Sequence, residues 1–378
     1  MAEKLCVCAA CHNRDAVWWC DVIIGGLHCA NKKTREIRCV VSPMQMYQEG
    51  YFSVRKLVYW HDKIFILPTD LEKKWIVYDI ATEKISYFHP VSFHYISEES
   101  VVIGSSLVCI PFFSNEPVLV IDLDTMQCID KFDIWQRGKK PENIFEIWSA
   151  SIAEAGISFL LRNSAYWCSI KGEKVQIVTL EISEPISCAD ICGSDGWALG
   201  MKGKTLYKFD EDGRCMAEIP IKVQREFVRL IATQRYIFLL PQEGSGLYVY
   251  DQYMQRFEII NSGMIENEHL FPGRLYVCSY WDYIIEGKTI HFMPCKYSYL
   301  SVDLETLECR QTDPDYPERF SKKCYWNYYL WIQELGQKKF REEVKDSLAG
   351  FLNMVIFSET GGAQDGIKKS KVWEFVSK

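Results

Sequence analysis

The stretch "KIFILPTDLEKKWIVYDIATEKISYF", residues 63–88, decides the fold. A short apolar strand ends at Pro68, a polar loop follows, a second strand ends at Asp79, and a tight turn leads into a third. The same order returns in "SLVCIPFFSNEPVLVIDLDTMQCIDKF" at 106–132, in "YIFLLPQEGSGLYVYDQYMQRFEII" from 236 and in "TIHFMPCKYSYLSVDLETLECRQT" from 289. Asp79, Asp122, Asp251 and Asp303 hold equivalent places, with Asp210 of "KTLYKFDEDGRCMAEI" as a fifth. An Asp side chain accepts from backbone N–H groups just ahead of it and so closes a hairpin. Thr82, Thr125, Gly213 and Thr306 follow three residues later. These aspartates read as structural, not catalytic.

Spacing extends the repeat. Asp79 and Asp122 are 43 residues apart, and Asp210 and Asp251 are 41 apart. The 88 residues from Asp122 to Asp210 hold a further unit, "GISFLLRNSAYWCSIKGEKVQIVTL", whose turn falls near Lys171 without an Asp. The 52 residues from Asp251 to Asp303 are stretched by "NSGMIENEHLFPG", and "AVWWCDVIIGGLHCANKKTREIRCVV" supplies a first unit with its turn near Ala30. One more apolar strand precedes each pair, as in "VRKLVYW", "ISCADI" and "FVRLIA". Four short strands per unit of this length match the blades of a propeller. The expected fold is all-β: a seven-bladed β-propeller with four-stranded blades over 1–313, then a linker and a short C-terminal helical extension over 314–378. In that extension, Phe340, Val344, Leu348, Phe351, Leu352 and Val355 fall at helical spacing. A phosphate-loop reading of "GGAQDGIKKS" fails, because Ile367 stands where Lys must follow Gly366.

The segment Cys8-Ala-Ala-Cys11-His12 matches the c-type haem attachment pattern, and with Cys6 it offers zinc-type ligands. "MAEKLCVCAACHNRD" lacks the basic start and apolar run of an export signal, so haem attachment is not expected. Strand-like alternation puts Cys6 and Cys8 on one face and Cys11 on the other, which separates the zinc ligands. The segment reads instead as the innermost strand of the first blade, where small residues fit. No metal and no cofactor are expected. The 16 cysteines, scattered singly in apolar segments, suit buried thiols in a reducing, cytoplasmic compartment. A net charge of −7 without basic blocks argues against nucleic acid as a partner. No apolar run reaches the roughly 18 residues of a membrane span, so no membrane insertion is expected. Nothing in the pattern requires more than a monomer.

"AVWWCDVIIGGLHCANKKTREIRCVVSP" followed by "LVYWHDKIFILPTDLEKKWIVYDIATEKISYF" resembles the kelch-like β-propeller proteins of clostridial and related gut Firmicutes. The closing "KVWEFVSK" is similar to the short helix that ends such chains. The resemblance implies a propeller in a bacterial cytosol and brings no catalytic residue. Other propeller patterns fit less well. Trp-Asp and Gly-His pairs do not recur, "GSDGWAL" only half resembles an Asp-box, and within the repeat paired glycines survive only at Gly25-Gly26.

None of the seven histidines (His12, His28, His61, His89, His94, His269, His291) shares a helical ligand spacing with another, and no nucleophile elbow or dinucleotide fingerprint appears. The 12 tryptophans recur near strands, where packing between blades accounts for most of them. The loops joining second to third strands open on one face and offer Asp21, Asp70, Asn115, Arg162, Gln242 and Lys296 as ligand-binding residues at the channel mouth. The expected function is non-enzymatic: a ligand-binding or protein-interaction propeller that takes a glycan or a protein partner. The alternative is a carbohydrate-active enzyme, a glycoside hydrolase or lyase, using carboxylates across the central channel.

Overall fold

The computed structural model describes residues 7–21, 25–42, 45–46, 54–68, 74–89, 100–111, 116–133, 147–153, 156–161, 166–171, 174–223, 226–241, 246–260, 280, 282–294 and 299–311. The linker and helices expected over 314–378 lie outside these residues. Among the described residues stand seven four-stranded antiparallel sheets, each made from four consecutive strands. They span residues 7–41, 54–88, 101–132, 147–179, 186–220, 227–260 and 283–311, and are called sheets 1 to 7 below.

Position within the sheet explains the composition of each strand. Second strands are covered on both faces by neighbouring sheets, so they are nearly continuous apolar runs. Every residue of Tyr236–Pro241 is buried, as is all of Lys63–Pro68 except Lys63. Fourth strands form the outer edge and alternate instead, as Cys215–Pro220 does.

The turn between third and fourth strands follows one design. The Asp79 carboxylate accepts from Thr82 N–H and from the Thr82 hydroxyl, both at 2.8 Å. Asp122 accepts from Thr125 N–H at 2.7 Å, Asp303 from Thr306 N–H at 2.8 Å, Asp251 from Met254 N–H at 3.1 Å, and Asp210 from Arg214 N–H at 2.9 Å. Sheet 1 places its turn at Asn31, one residue beyond the expected Ala30, with the amide oxygen accepting from Thr34 N–H at 2.9 Å. The residue four after the Asp or Asn is left-handed: Arg35, Glu83, Met126, Gln255 and Leu307 have φ between 51° and 60°. At Asp210 the left-handed residue comes one position earlier and is Gly213, at φ 79°. Asp251 differs from the others in being buried, where Arg235 Nη2 donates to it at 2.9 Å.

Apolar clusters join successive sheets. Trp18 and Tyr78 meet between sheets 1 and 2, Trp75 packs among Leu107, Leu119 and Ile121 of sheet 3, and Trp167 meets Phe209 between sheets 4 and 5. Trp197 and Tyr250 bridge sheets 5 and 6, and Phe238 and Phe292 bridge sheets 6 and 7. Sheets 3 and 4 touch through Val101–Ile103 and Ile147–Ala153. The series returns on itself: Val7 and Trp19 of sheet 1 pack with Ile284 and Met293 of sheet 7. Val7 N–H also donates to Pro294 O at 2.8 Å. Among the described residues no strand is exchanged at this last joint, and side chains with the Val7–Pro294 backbone bond join the two sheets.

Candidate functional site

Of the six loop residues singled out in the sequence, Asp21 is described. It ends the second strand of sheet 1, its side chain is buried, and its carbonyl accepts from Gly25 N–H at 3.0 Å. Asp70, Asn115, Arg162, Gln242 and Lys296 lie outside the described residues.

The innermost strands carry a feature that alternation does not reveal. In sheet 1 the register shifts between Val7 and Ala9, so Cys8 is an extra residue opposite the second strand. Such a bulge reverses which face the neighbouring side chains take. Cys8 and Cys11 consequently both pack toward sheet 2, a correction to the simple alternation. The rest of the motif still does not converge, because His12 Nδ1 accepts from Lys32 Nζ in the joint with sheet 7. Burial pushes the Cys11 and Cys20 thiols well above their ordinary range, which disfavours the thiolate that a metal needs. Among the described residues, no three His, Cys, Asp or Glu side chains gather as a metal site.

The same bulge recurs between Val54 and Lys56, Ile147 and Ser149, Ile186 and Cys188, and Phe227 and Arg229. It fixes a common level on the innermost strands, occupied by Ala9, Lys56, Ser149, Cys188 and Arg229. Counting back from the first hairpin of sheet 7 puts Asp282 at that level too. The counterpart in sheet 3 falls outside the described residues. Lys56 acts electrostatically on Cys11 of sheet 1, Cys109 of sheet 3 and Asp282 of sheet 7.

Asp282 is enclosed by protein yet keeps partial contact with solvent. Its Oδ2 accepts from Ala10 N–H at 2.7 Å, across the joint to sheet 1, and its Oδ1 accepts from Tyr283 N–H at 2.8 Å. Burial raises its pKa, against the opposing pull of Arg229, those two N–H groups and Lys56. Asp190 makes a similar latch between sheets 5 and 6, accepting from Ala232 N–H and Ile191 N–H at 2.8 Å each.

Two further polar groups stand out, one at a joint between sheets and one at a hairpin. At the joint of sheets 7 and 1, Lys32 Nζ donates to Glu286 Oε1 and to Asn13 O, both at 2.7 Å, and lies 3.4 Å from His12 Nδ1. Nearby, His291 Nδ1 is 2.6 Å from the Tyr299 hydroxyl. Burial lowers the pKa of both imidazoles, and the Lys32 hydrogen bond lowers that of Glu286. At neutral pH the joint therefore holds neutral rings beside one ion pair. In sheet 2, the hairpin after Trp60 turns through His61 and Asp62 at φ 42° and 58°. Trp60 Nε1 donates to Asp124 Oδ1 at 2.8 Å and His61 Nδ1 lies 3.2 Å from it, with the two rings stacked at 4.2 Å. Its sequence signal was a two-residue turn, His61-Asp62, with no Gly or Asn to take the left-handed conformation.

Neither a protein-family model nor a curated protein matches the chain. Solved structures do. Virginiamycin B lyase from Staphylococcus aureus aligns with TM-score 0.57 at 11% identity, over 79% of this chain and 96% of that one. The computationally designed Ika8 protein aligns with TM-score 0.53 at 11% identity, over 83% and 89%. The extracellular domain of the putative hybrid two-component system BT4673 from B. thetaiotaomicron aligns with TM-score 0.56 at 11% identity, over 84% of this chain and 42% of that one. At this identity the likeness concerns the fold, which is all-β and propeller-like.

Proposed function

We propose that the seven sheets are the blades of a closed propeller with an axial channel, and that the protein is a non-enzymatic binding module taking a glycan or a protein segment at that channel. The observation that carries this reading is the engagement of two carboxylates on or beside first strands, Asp190 and Asp282. Each has both oxygens accepting backbone N–H groups, and each latches a different joint. Glycoside hydrolysis needs two carboxyl groups facing one bond, about 5–9.5 Å apart, one of them able to deliver a proton. With both oxygens of each committed to backbone N–H groups at different joints, neither is set up for that role, and the positive charge of Lys56 and Arg229 on first strands supports recognition. A cytoplasmic setting fits the cysteines whose side chains are described, from Cys8 to Cys309, all of which are thiols. No helix among the described residues is long and apolar enough to cross a membrane.

The test presents the full chain to an immobilised glycan panel and, separately, to a peptide panel, then follows each bound glycan for cleavage. Saturable binding without new reducing or unsaturated ends is expected. Turnover that disappears in Asp282→Asn would establish the carbohydrate-active alternative instead.

A further inference from the structure

We infer that the joint between sheets 7 and 1 is an acid-sensitive clasp. His12 accepts from Lys32 only as a neutral ring, so a proton on it sets two cations face to face and loosens this joint ahead of the others. The clasp does not depend on what the protein binds.

The geometry admits one protonation state. An ammonium has donors and no lone pair, so Lys32 Nζ donates across 3.4 Å to His12 Nδ1, and the neutral ring carries its N–H on Nε2. The same ammonium is held at 2.7 Å by Asn13 O and at 2.7 Å by Glu286 Oε1, so it cannot swing aside without giving up the bond that crosses the joint. Protonating Nδ1 replaces an acceptor with a donor that faces a donor, and adds the repulsion of two like charges.

The groups around the ring come from both sheets. Lys32 stands in the turn after the third strand of sheet 1, Glu286 ends the first strand of sheet 7, and His291 lies in the second. His291 Nδ1 is 2.6 Å from the Tyr299 hydroxyl and 3.0 Å from Ser301 Oγ. His12, Lys32 and Glu286 all act on His291, so two protonated rings and Lys32 would share the carboxylate of Glu286. At the joint of sheets 2 and 3 the sign reverses. His61 Nδ1 lies 3.2 Å from Asp124 Oδ1 there, and a proton on that ring meets an anion.

The titration runs in the direction the geometry requires. Burial, aided by Lys32, holds His12 below the ordinary imidazole range, and burial does the same for His291. His28, stacked on Trp19 in this joint, is lowered by burial to about 4 and acts in the same direction. An opened joint returns exposed imidazoles to values near ~6.5, so the closed joint binds fewer protons. Its stabilisation is complete above that value and is lost as pH falls through the closed-state ones. Lys32 holds Glu286 below the ordinary carboxylate range, so it stays charged over this window. Asp282, which accepts from Ala10 N–H in the same joint, works in the opposite sense, because burial raises its pKa.

Hydrogen exchange of the full chain, followed by mass spectrometry from about pH 7.5 to about pH 5.5 and corrected for the intrinsic rate at each pH, provides the test. Peptides spanning Val7–His12 and Thr289–Phe292 should lose protection several-fold toward the lower pH, while one spanning Tyr236–Pro241 of sheet 6 keeps its own. In His12→Asn, an amide oxygen replaces Nδ1 and accepts from Lys32 without titrating, so the fall should be smaller. Lys32→Met removes the facing cation and should also reduce it, which covers the case in which His12→Asn does not fold. His61→Asn should leave the fall as in the unaltered protein. Protection that does not change with pH in the unaltered protein would overturn the inference. So would a loss shared equally by the sheet 6 peptide, or an undiminished fall in the folded His12 and Lys32 variants.

Discussion

The joint between sheets 7 and 1 should depend on the Asp282 carboxylate. In Asp282→Ala, Ala10 N–H and Tyr283 N–H lose acceptors at 2.7 and 2.8 Å. An enclosed N–H left without a partner costs about 1–3 kcal/mol. Removing a carboxylate whose burial already disfavours its charge recovers part of the loss. A net destabilisation of about 2–4 kcal/mol results. The local signature is sharper than the global one. About 2 kcal/mol at a single amide corresponds to roughly 30-fold faster hydrogen exchange when opening is local. Exchange measured by mass spectrometry on a peptide spanning Val7–His12 should therefore accelerate, while a peptide from Tyr236–Pro241 should not. Asp190→Ala should do the same to Ala232, because its carboxylate makes the equivalent pair of bonds. Unchanged protection at Ala10 in a folded Asp282→Ala protein would refute the latch.

Gln255→Gly should raise stability by about 0.5–1 kcal/mol in urea unfolding, because φ at this exposed residue is 51°, while Gly213→Ala, at φ 79° and with a Cβ 3.0 Å from the buried Trp167 side chain, should lower it by more than that. Gly196→Ala should be strongly destabilising, by about 2–4 kcal/mol, since a Cβ there overlaps the buried Trp167 ring, and Trp fluorescence should report the displacement. Hydrogen bonds from Thr82, Thr125 and Thr306 hold Asp79, Asp122 and Asp303 below the ordinary carboxylate range. A folded pKa below the unfolded value near ~3.9 means that this stabilisation is complete above that value and is lost as pH falls through the folded ones. Replacing all three with Asn should therefore flatten the acid side of the stability profile, read as urea midpoints between about pH 5 and about pH 2. Purified protein should contain no stoichiometric zinc, and elemental analysis finding about one zinc per chain, lost in Cys8→Ser, would contradict the placement of His12 away from Cys8 and Cys11.

The repeat was legible because its marker is local. An Asp that bonds to amides two to four residues ahead leaves the same short string each time, and the surrounding apolar runs follow from burial between sheets. Asn31 escaped notice as the marker of sheet 1 because an amide does the work of a carboxylate there. The shared register level of the first strands was not legible. Lys56, Arg229 and Asp282 are scattered in sequence, and their equivalence exists only after one extra residue per innermost strand is counted. That same extra residue overturned the alternation argument for Cys8 and Cys11. Latches such as Asp282 to Ala10 join residues 272 positions apart, a separation with no local trace. Most of the loop residues chosen for the channel mouth fall where the structure is not described.

Because every sheet is woven from one uninterrupted segment, a ribosome delivers each of them whole and in order. A nascent chain can complete sheet 1 while sheet 7 is still unsynthesised. Val7 and Trp19 must then wait, uncovered, for Ile284 and Met293 to arrive. The growing arc carries an apolar face at its leading end throughout synthesis, and only the final hairpins quench it. That interval, not the finished molecule, is where this chain is most exposed to sticking to its neighbours on a polysome, and where a chaperone would find the most to hold.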